Sequence, residues 1–384
     1  MPTFTCSYFA CFFACFVTMH VLRHTASTVQ FRGLDVLRCC AALSVLVYHA
    51  TLDTDAFLSK APAKFLHNLP IGVDFFFLIS GFLITYLLLT EKDRAGTISL
   101  SRFYIRRSLR IFPLYYAIIG IAWLLHHESH PEVNFYSYLY FVGNFWMIDH
   151  GWTVATLNPL WSLCIEEQFY VIIPLLVLLI PTRRLPWLFG GIVLLSTAFR
   201  TYTAISTQSN WMITYCHTLS RCDVLALGGW LAWCHFNKPI NLRLPRWTLF
   251  ASLFYLALLL TVIDTSDFTS LAFAVFKKYL YLLPLAFIFC FVLFNNDDKA
   301  AIPLGPVGKT ANYLGKISYG LYMYHSPILF VLDENPTYYG NSLIVRLLMT
   351  VLLTTIVAAL SYELFEKQIL RLKSRFEVVR TIRA

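Results

Sequence analysis

Charge is what this chain has least of. Of its 384 residues, 13% are Asp, Glu, Lys or Arg, against 58% hydrophobic and 17% aromatic. A soluble domain carries about 25% charged residues, because a water-facing surface needs them. Together with a mean hydropathy of +0.63, this excludes a cytosolic globular enzyme, a disordered chain and a nucleic-acid-binding domain as first readings. The spacings that mark familiar chemistry are missing too. No CxxC pair occurs among the ten cysteines, most of which sit in apolar runs, so they read as small buried hydrophobes. No GxSxG, GxGxxG or Walker sequence occurs, which leaves an α/β-hydrolase or a nucleotide-driven pump unsupported. The HHESH run puts His126 and His130 at i,i+4, but it is not HExxH and has no third ligand nearby, so no metal is expected.

What is present is apolar length. A bilayer core takes about 20 mostly apolar residues per helix. Ten stretches qualify: 35–54, 71–90, 111–127, 161–181, 186–204, 219–236, 246–263, 277–294, 313–333 and 345–366. The aromatic stretch 135–148 is short and reads as re-entrant or interfacial. With the residues before the first stretch inside, the basic residues gather on inner loops and on the tail, and loop 128–160 has no Lys or Arg. An eleventh span would reverse that bias, so ten spans with both ends inside is the expectation. The net charge of +9 then belongs to the cytoplasmic loops rather than to a polyanion site. The fold class is an all-α polytopic membrane bundle of about 10 transmembrane helices. Residues 1–34 form an N-terminal cytoplasmic extension, 35–366 the membrane domain and 367–384 a basic cytoplasmic tail. The run from Phe4 to Val21 lacks a basic n-region and is not read as a cleaved signal. It is an extra helix or precedes a start at Met19.

Polar groups inside these spans are costly and mark function or structural pairing. Arg38 and His49 are eleven residues apart in the first span. On a helix that is about 20° beyond three turns and about 16 Å of rise, so they share a face. Asp74 lies one turn into the second span, and Gly81 below it suits close helix packing. Glu166 and Glu167 open the fourth span and point about 100° apart, so one of them faces a shared site. Tyr170 is i+4 from Glu166. Arg221 and Asp223 open the sixth span and suit pairing with other helices. In the ninth, Ser318, Tyr322 and His325 share a face, and Pro327 should kink the helix beside His325. His49, Asp74, Glu166, Glu167, Arg221 and His325 fall in the outer half, while Arg38, Arg106, Arg107, Arg110 and Glu366 fall near the inner face. That sorting suggests a donor taken from the cytoplasm and chemistry deeper in the membrane. Ordinary positive-inside loops would also explain the arginines.

Taken in order, these blocks resemble the acyltransferase-3 family of membrane O-acyltransferases. Arg38 to His49 resembles its Arg-x10-His helix. GVDFFFLISGFLI, RFYIRRSLRIFPLYY, LWSLCIEEQFYVIIPLL, RCDVLALGGWLA and ISYGLYMYHSPI resemble its later blocks. SYELFEKQ resembles its terminal block, with Gln368 in place of a proline. The match runs from about Leu34 to Glu366, as in stand-alone members without an esterase-like extracellular domain.

The resemblance implies transfer of an acyl group, most often acetyl, from acyl-CoA to a hydroxyl of a cell-surface carbohydrate or glycolipid. Usual acceptors are O-antigen, exopolysaccharide or peptidoglycan sugars. It implies no metal and no nucleic acid, membrane lipids as partners, and a bacterial inner membrane with cytoplasmic termini. His49 would take the hydroxyl proton or first accept the acyl group. Glu166 or Glu167 would orient its imidazole. Arg106, Arg107 and Arg110 would hold CoA phosphates, and Arg38, His325 or Tyr322 would stabilise the oxyanion. Asp74 completes the candidate set. Aromatic residues of 135–152 would suit sugar stacking. The competing reading is a proton-coupled transporter or flippase for a sugar-linked lipid or weak acid, since buried His, Asp and Glu also suit proton coupling. Against it, the sequence has no inverted repeat and no paired broken helices.

Overall fold

The computed structural model describes residues 28–29, 31, 33–52, 60–206, 210–237, 244–262, 270–295, 305–340, 342–376 and 380–381. Most of the expected extension, 1–27, lies outside the described residues, as do Lys238, Arg243 and Lys299. Apart from a two-residue parallel pairing of Thr28–Val29 with Arg380–Thr381, the described elements are helical. In chain order they are α1 (Leu34–Ala50), α2 (Lys60–His67), α3 (Ile71–Ala95), α4 (Leu100–His126), α5 (Phe135–Leu139), α6 (Gly143–His150), α7 (Leu160–Leu179) and α8 (Leu185–Ile205). Then follow α9 (Trp211–Cys216), α10 (Thr218–Phe236), α11 (Arg246–Val262), α12 (Lys278–Phe294), α13 (Gly305–Lys316), α14 (Ser318–Asp333), α15 (Leu343–Ser361) and α16 (Lys367–Lys373).

Each expected span is helical, but ten spans are not reached by length and composition. Among the described residues six helices are long and apolar enough to cross a membrane: Ala63–Ala95, Leu100–His126, Leu160–Leu179, Thr182–Ile205, Ala274–Phe294 and Leu343–Lys373. The helices at 35–54, 219–236, 246–263 and 313–333 are shorter or less apolar. The last of these is broken at Ile317 into α13 and α14. Stretch 135–148 folds as two short helices, α5 and α6, rather than one long one. Pro327 does not end α14, which continues to Asp333.

The outermost helix shows what surrounds the bundle. Along α15, Leu348, Leu352, Ile356 and Leu360 are between 46% and 62% exposed, whereas Thr350, Thr354 and Ala358 are fully buried. Water would favour the reverse arrangement. An apolar face turned outward and hydroxyls turned inward is the pattern of a helix facing lipid. The chain is an integral membrane protein by this arrangement and by its apolar helices.

Glycine sets the contact of α3 with α10. A Cβ on Gly81 of α3 would lie 2.0 Å from the Leu225 carbonyl oxygen of α10, and one on Gly228 would lie 2.2 Å from the Leu78 carbonyl oxygen. The two helices therefore touch backbone to backbone, each through the other's glycine. Beside that contact, Asp74 accepts from Arg221 at 2.9 and 3.2 Å and from the Tyr281 hydroxyl at 3.3 Å. A second buried cluster holds α8, α10 and α12 together. Asp223 accepts from Arg200 and Lys278, each at 2.7 Å, and from Tyr279 at 3.0 Å. Arg221 and Asp223 thus pair with other helices, as their position at the start of a span suggested.

Candidate active site

Five helices, α1, α3, α4, α7 and α14, line a partly open cavity of about 100 Å³. Three guanidinium groups line it: Arg38 from α1, and Arg107 and Arg110 from α4. Helix α4 begins at Leu100, so the two arginines stand on the long helix itself and not in a loop before it. They are i,i+3 and share a face. Arg38 is held by Asp35 at 3.2 Å. Among the described residues neither Arg107 nor Arg110 makes an ion pair or a hydrogen bond. Arg107 lies 5.6 Å from the Tyr170 ring centre and 5.7 Å from that of Phe103. Unpaired cations in a half-buried wall are a binding surface for an anion.

The opposing wall is carboxylate and hydroxyl. Glu166 accepts from Tyr170 at 2.7 Å and from Ser80 at 3.1 Å. Tyr170 sits one turn on, as the i+4 spacing requires. Glu167 does not line the cavity, and its Oε1 is buried without a partner. One glutamate of the adjacent pair faces the shared space, and it is Glu166. At the far end Tyr322 shares a 2.7 Å hydrogen bond with Ser162 and donates to the Pro159 carbonyl at 3.0 Å. Ser318 and Tyr319 complete that side.

Beyond Tyr322 lie the two histidines. The His325 ring is 5.6 Å from that of Tyr322 and 4.9 Å from that of His49. His49 Nδ1 lies 2.9 Å from the Val45 carbonyl, and His325 Nδ1 lies 2.5 Å from the Tyr322 carbonyl. A carbonyl oxygen only accepts, so both Nδ1 atoms carry the proton and both Nε2 atoms present a lone pair. Neither Nε2 has a hydrogen-bond partner among the described residues, and that of His325 is fully buried. Two basic nitrogens are thus left free where α1 and α14 meet.

Several expectations need correction. Neither glutamate touches His49: Glu166 is engaged by Ser80 and Tyr170, and the imidazole is oriented by its own helix through Val45. Asp74 is consumed by Arg221 and Tyr281 and is absent from the cavity wall. Arg106 also lies outside the cavity, because it pairs with Glu91 at 3.0 Å and donates to the Phe376 carbonyl at 2.7 Å. Ser80 and Ser162 also line the cavity, though no motif marks them. Their signal is proximity: Ser80 precedes Gly81, and Ser162 is i−4 from Glu166.

Comparison with known proteins shows the family. Residues 31–363 match the acyltransferase-3 family, described as "Acyltransferase domain", and the chain belongs to that family. A protein of Staphylococcus aureus strain COL named "Putative O-acetyltransferase" is 31% identical over 360 residues, covering 87% of this chain and 56% of that protein. The peptidoglycan O-acetyltransferase OatA of Listeria monocytogenes is 27% identical over 367 residues, covering 88% of this chain and 55% of OatA. Bacillus subtilis YrhL, named "Putative peptidoglycan O-acetyltransferase", is 29% identical, covering 88% and 54%. The chain spans about half the length of these relatives. No solved structure gives a significant match.

Proposed function

We propose that this chain transfers an acyl group, most often acetyl, from acyl-CoA to a hydroxyl of a cell-surface carbohydrate or glycolipid. The observation that carries the reading is one cavity and its neighbours. The unpaired guanidiniums of Arg107 and Arg110 line it together with Tyr322, and behind the Tyr322 ring, outside the lining, stand His325 at 5.6 Å and then His49, 4.9 Å from His325. The donor set fits CoA chemistry: three guanidiniums face one carboxylate across the cavity, which favours a polyanion. Arg107 and Arg110 hold phosphate oxygens, and Arg38 lies further along the same wall. The extended pantetheine arm brings the thioester to Tyr322.

The acceptor hydroxyl approaches from the other end. His49 Nε2 takes its proton as the oxygen attacks the thioester carbonyl. The Tyr322 hydroxyl, turned from the Pro159 carbonyl, donates to the developing oxyanion while Ser162 donates to the tyrosine oxygen. When the C–S bond breaks, the CoA sulfur leaves with the electron pair, and the imidazolium returns its proton to that sulfur. An acyl-histidine route uses the same atoms in two steps. Glu166 keeps Tyr170 and Ser80 in place along the donor path. Trp152 and Trp211 are about two-fifths exposed, and Tyr215 stands 6.0 and 5.9 Å from their rings. Tyr215 in turn is 4.7 Å from Trp161, so this cluster reaches the start of α7 and suits a sugar ring. The relatives' names favour a peptidoglycan sugar among the acceptors. Ten spans in a bacterial inner membrane with both termini cytoplasmic would put the arginines at the CoA side and the histidines toward the acceptor.

Release of free CoA from acetyl-CoA tests this in isolated membranes, with a thiol reagent as readout. Release that depends on added glycan acceptor and is lost in His49→Ala supports the reading. Equal release by His49→Ala at equal expression overturns it.

A further inference from the structure

Both imidazoles are anchored only to their own helices, His49 to Val45 and His325 to Tyr322. No hydrogen bond joins one ring to the other. Their 4.9 Å separation is therefore set by how α1 sits against α14. The outer ends of those two helices meet at one side chain, Arg346 of α15. Its Nη1 donates to the carbonyls of Ala50 and Leu52, each at 3.2 Å. Its other edge grips Asp333, the last residue of α14, with Nε to Oδ1 at 3.1 Å and Nη2 to Oδ2 at 2.9 Å. The Tyr339 ring lies 6.0 Å from the same guanidinium.

We propose that Arg346 is a positioning residue: it fixes the distance between His49 and His325 by tying the end of α1 to the end of α14. The chemistry suits the task. The last carbonyls of a helix have no partner within it and carry the negative end of the helix dipole. One guanidinium can satisfy such a carbonyl, here that of Ala50, together with that of Leu52 just beyond the helix, and still present its planar fork to a carboxylate. Lysine has neither the flat fork nor enough fixed donors to hold both sides at once. Ala50 is the residue after His49, so movement at the clamp passes directly to that imidazole. Asp333 is eight residues beyond His325, about 12 Å along α14. Arg346 is mostly buried, with 13% of its side chain exposed, while Asp333 is 45% exposed. The clamp thus sits at the rim, where it grips both helices without blocking the space between the rings.

The inference rests on the transfer reading for its catalytic consequence, but not for its geometry, and two measurements separate them. The first is cross-linking. In H49C/H325C protein, a short thiol-to-thiol reagent should join the two positions, as identified by mass spectrometry of the linked peptides. Adding R346A should lower that yield several-fold, with D333A intermediate. An equal yield with and without Arg346 overturns the proposal, whatever the activity. The second is kinetic, on protein with native histidines. R346A should lose about tenfold to a hundredfold in kcat, the scale expected for misplacement of about 1 Å. Its KM for acyl-CoA should stay within about twofold, since Arg107 and Arg110 are untouched. R346K should recover little, and millimolar guanidinium should restore part of the R346A loss. A changed KM with unchanged kcat would assign Arg346 to substrate binding and overturn the proposal. If native protein shows no transfer at all, the transfer reading fails while the cross-linking result still decides the clamp.

Discussion

Two unpaired arginines and two free imidazole nitrogens set what single substitutions should do. On the proposed reading, Arg107→Ala or Arg110→Ala would remove one charge-assisted contact to a CoA phosphate, worth about 1.5–3 kcal/mol. Each should raise KM for acyl-CoA about tenfold to a hundredfold and leave kcat less affected, as measured by initial rates in membranes. Arg106→Ala should move KM far less, because its guanidinium is already engaged by Glu91 and the Phe376 carbonyl. A positioned general base contributes about a hundredfold to ten-thousandfold, so His49→Ala should lower kcat on that scale. The adjacent glutamates should separate cleanly. Glu166→Gln loses the anionic acceptor for Tyr170 and Ser80 and should impair turnover. Glu167→Gln, outside the cavity, should act mainly on stability. Equal kinetic effects of the two would place both carboxylates in the site.

At the scale of elements, the contact of α3 with α10 leaves no room for a side chain. Gly81→Leu would drive a side chain into the Leu225 backbone, and neither helix can retreat while Asp74 and Arg221 are joined. The expected outcome is loss of folded protein, read as a collapsed peak in detergent chromatography. Asp74→Ala leaves a buried guanidinium unpaired and should cost about 3–5 kcal/mol. Replacing both partners by Leu should be milder, and thermal unfolding in detergent compares them. Much of this level was legible from the residues. Apolar length located the long helices but not short ones such as Lys60–His67 and Trp211–Cys216, and the Arg38–His49 and Ser318–Tyr322–His325 spacings located the faces that meet. What spacing cannot carry is the partner across a helix interface. Asp74 reads as a candidate acid because its neighbour Arg221 lies 147 residues away. The same holds for Arg106 with Phe376, and for Arg200 and Lys278, which close on Asp223 from two different helices. The Val45 carbonyl as the orienter of His49 is likewise a backbone contact that no side-chain motif announces.

The whole molecule is a bundle whose apolar faces look outward and whose charges meet within. On the proposed reading the donor would enter from one side of the membrane and the acceptor from the other. Trp152→Ala with Trp211→Ala should raise KM for a glycan acceptor while leaving KM for acyl-CoA unchanged. A cysteine at an exposed position of loop 128–160, such as Glu128, should react with an impermeant maleimide in intact cells. One at Arg371 should react only after the membrane is opened. The most direct measurement of what the chain does follows the acyl carbon itself. Membranes expressing the native chain, His49→Ala or Arg110→Ala would be given radiolabelled acetyl-CoA, and label would be counted in glycolipid and polysaccharide. Label should enter the glycan with the native chain and fall to background with His49→Ala. With Arg110→Ala it should return only at raised acetyl-CoA. A glycan fraction equally labelled in all three, or unlabelled in all three with every acyl-CoA supplied, would overturn the assignment of this cavity to acyl transfer.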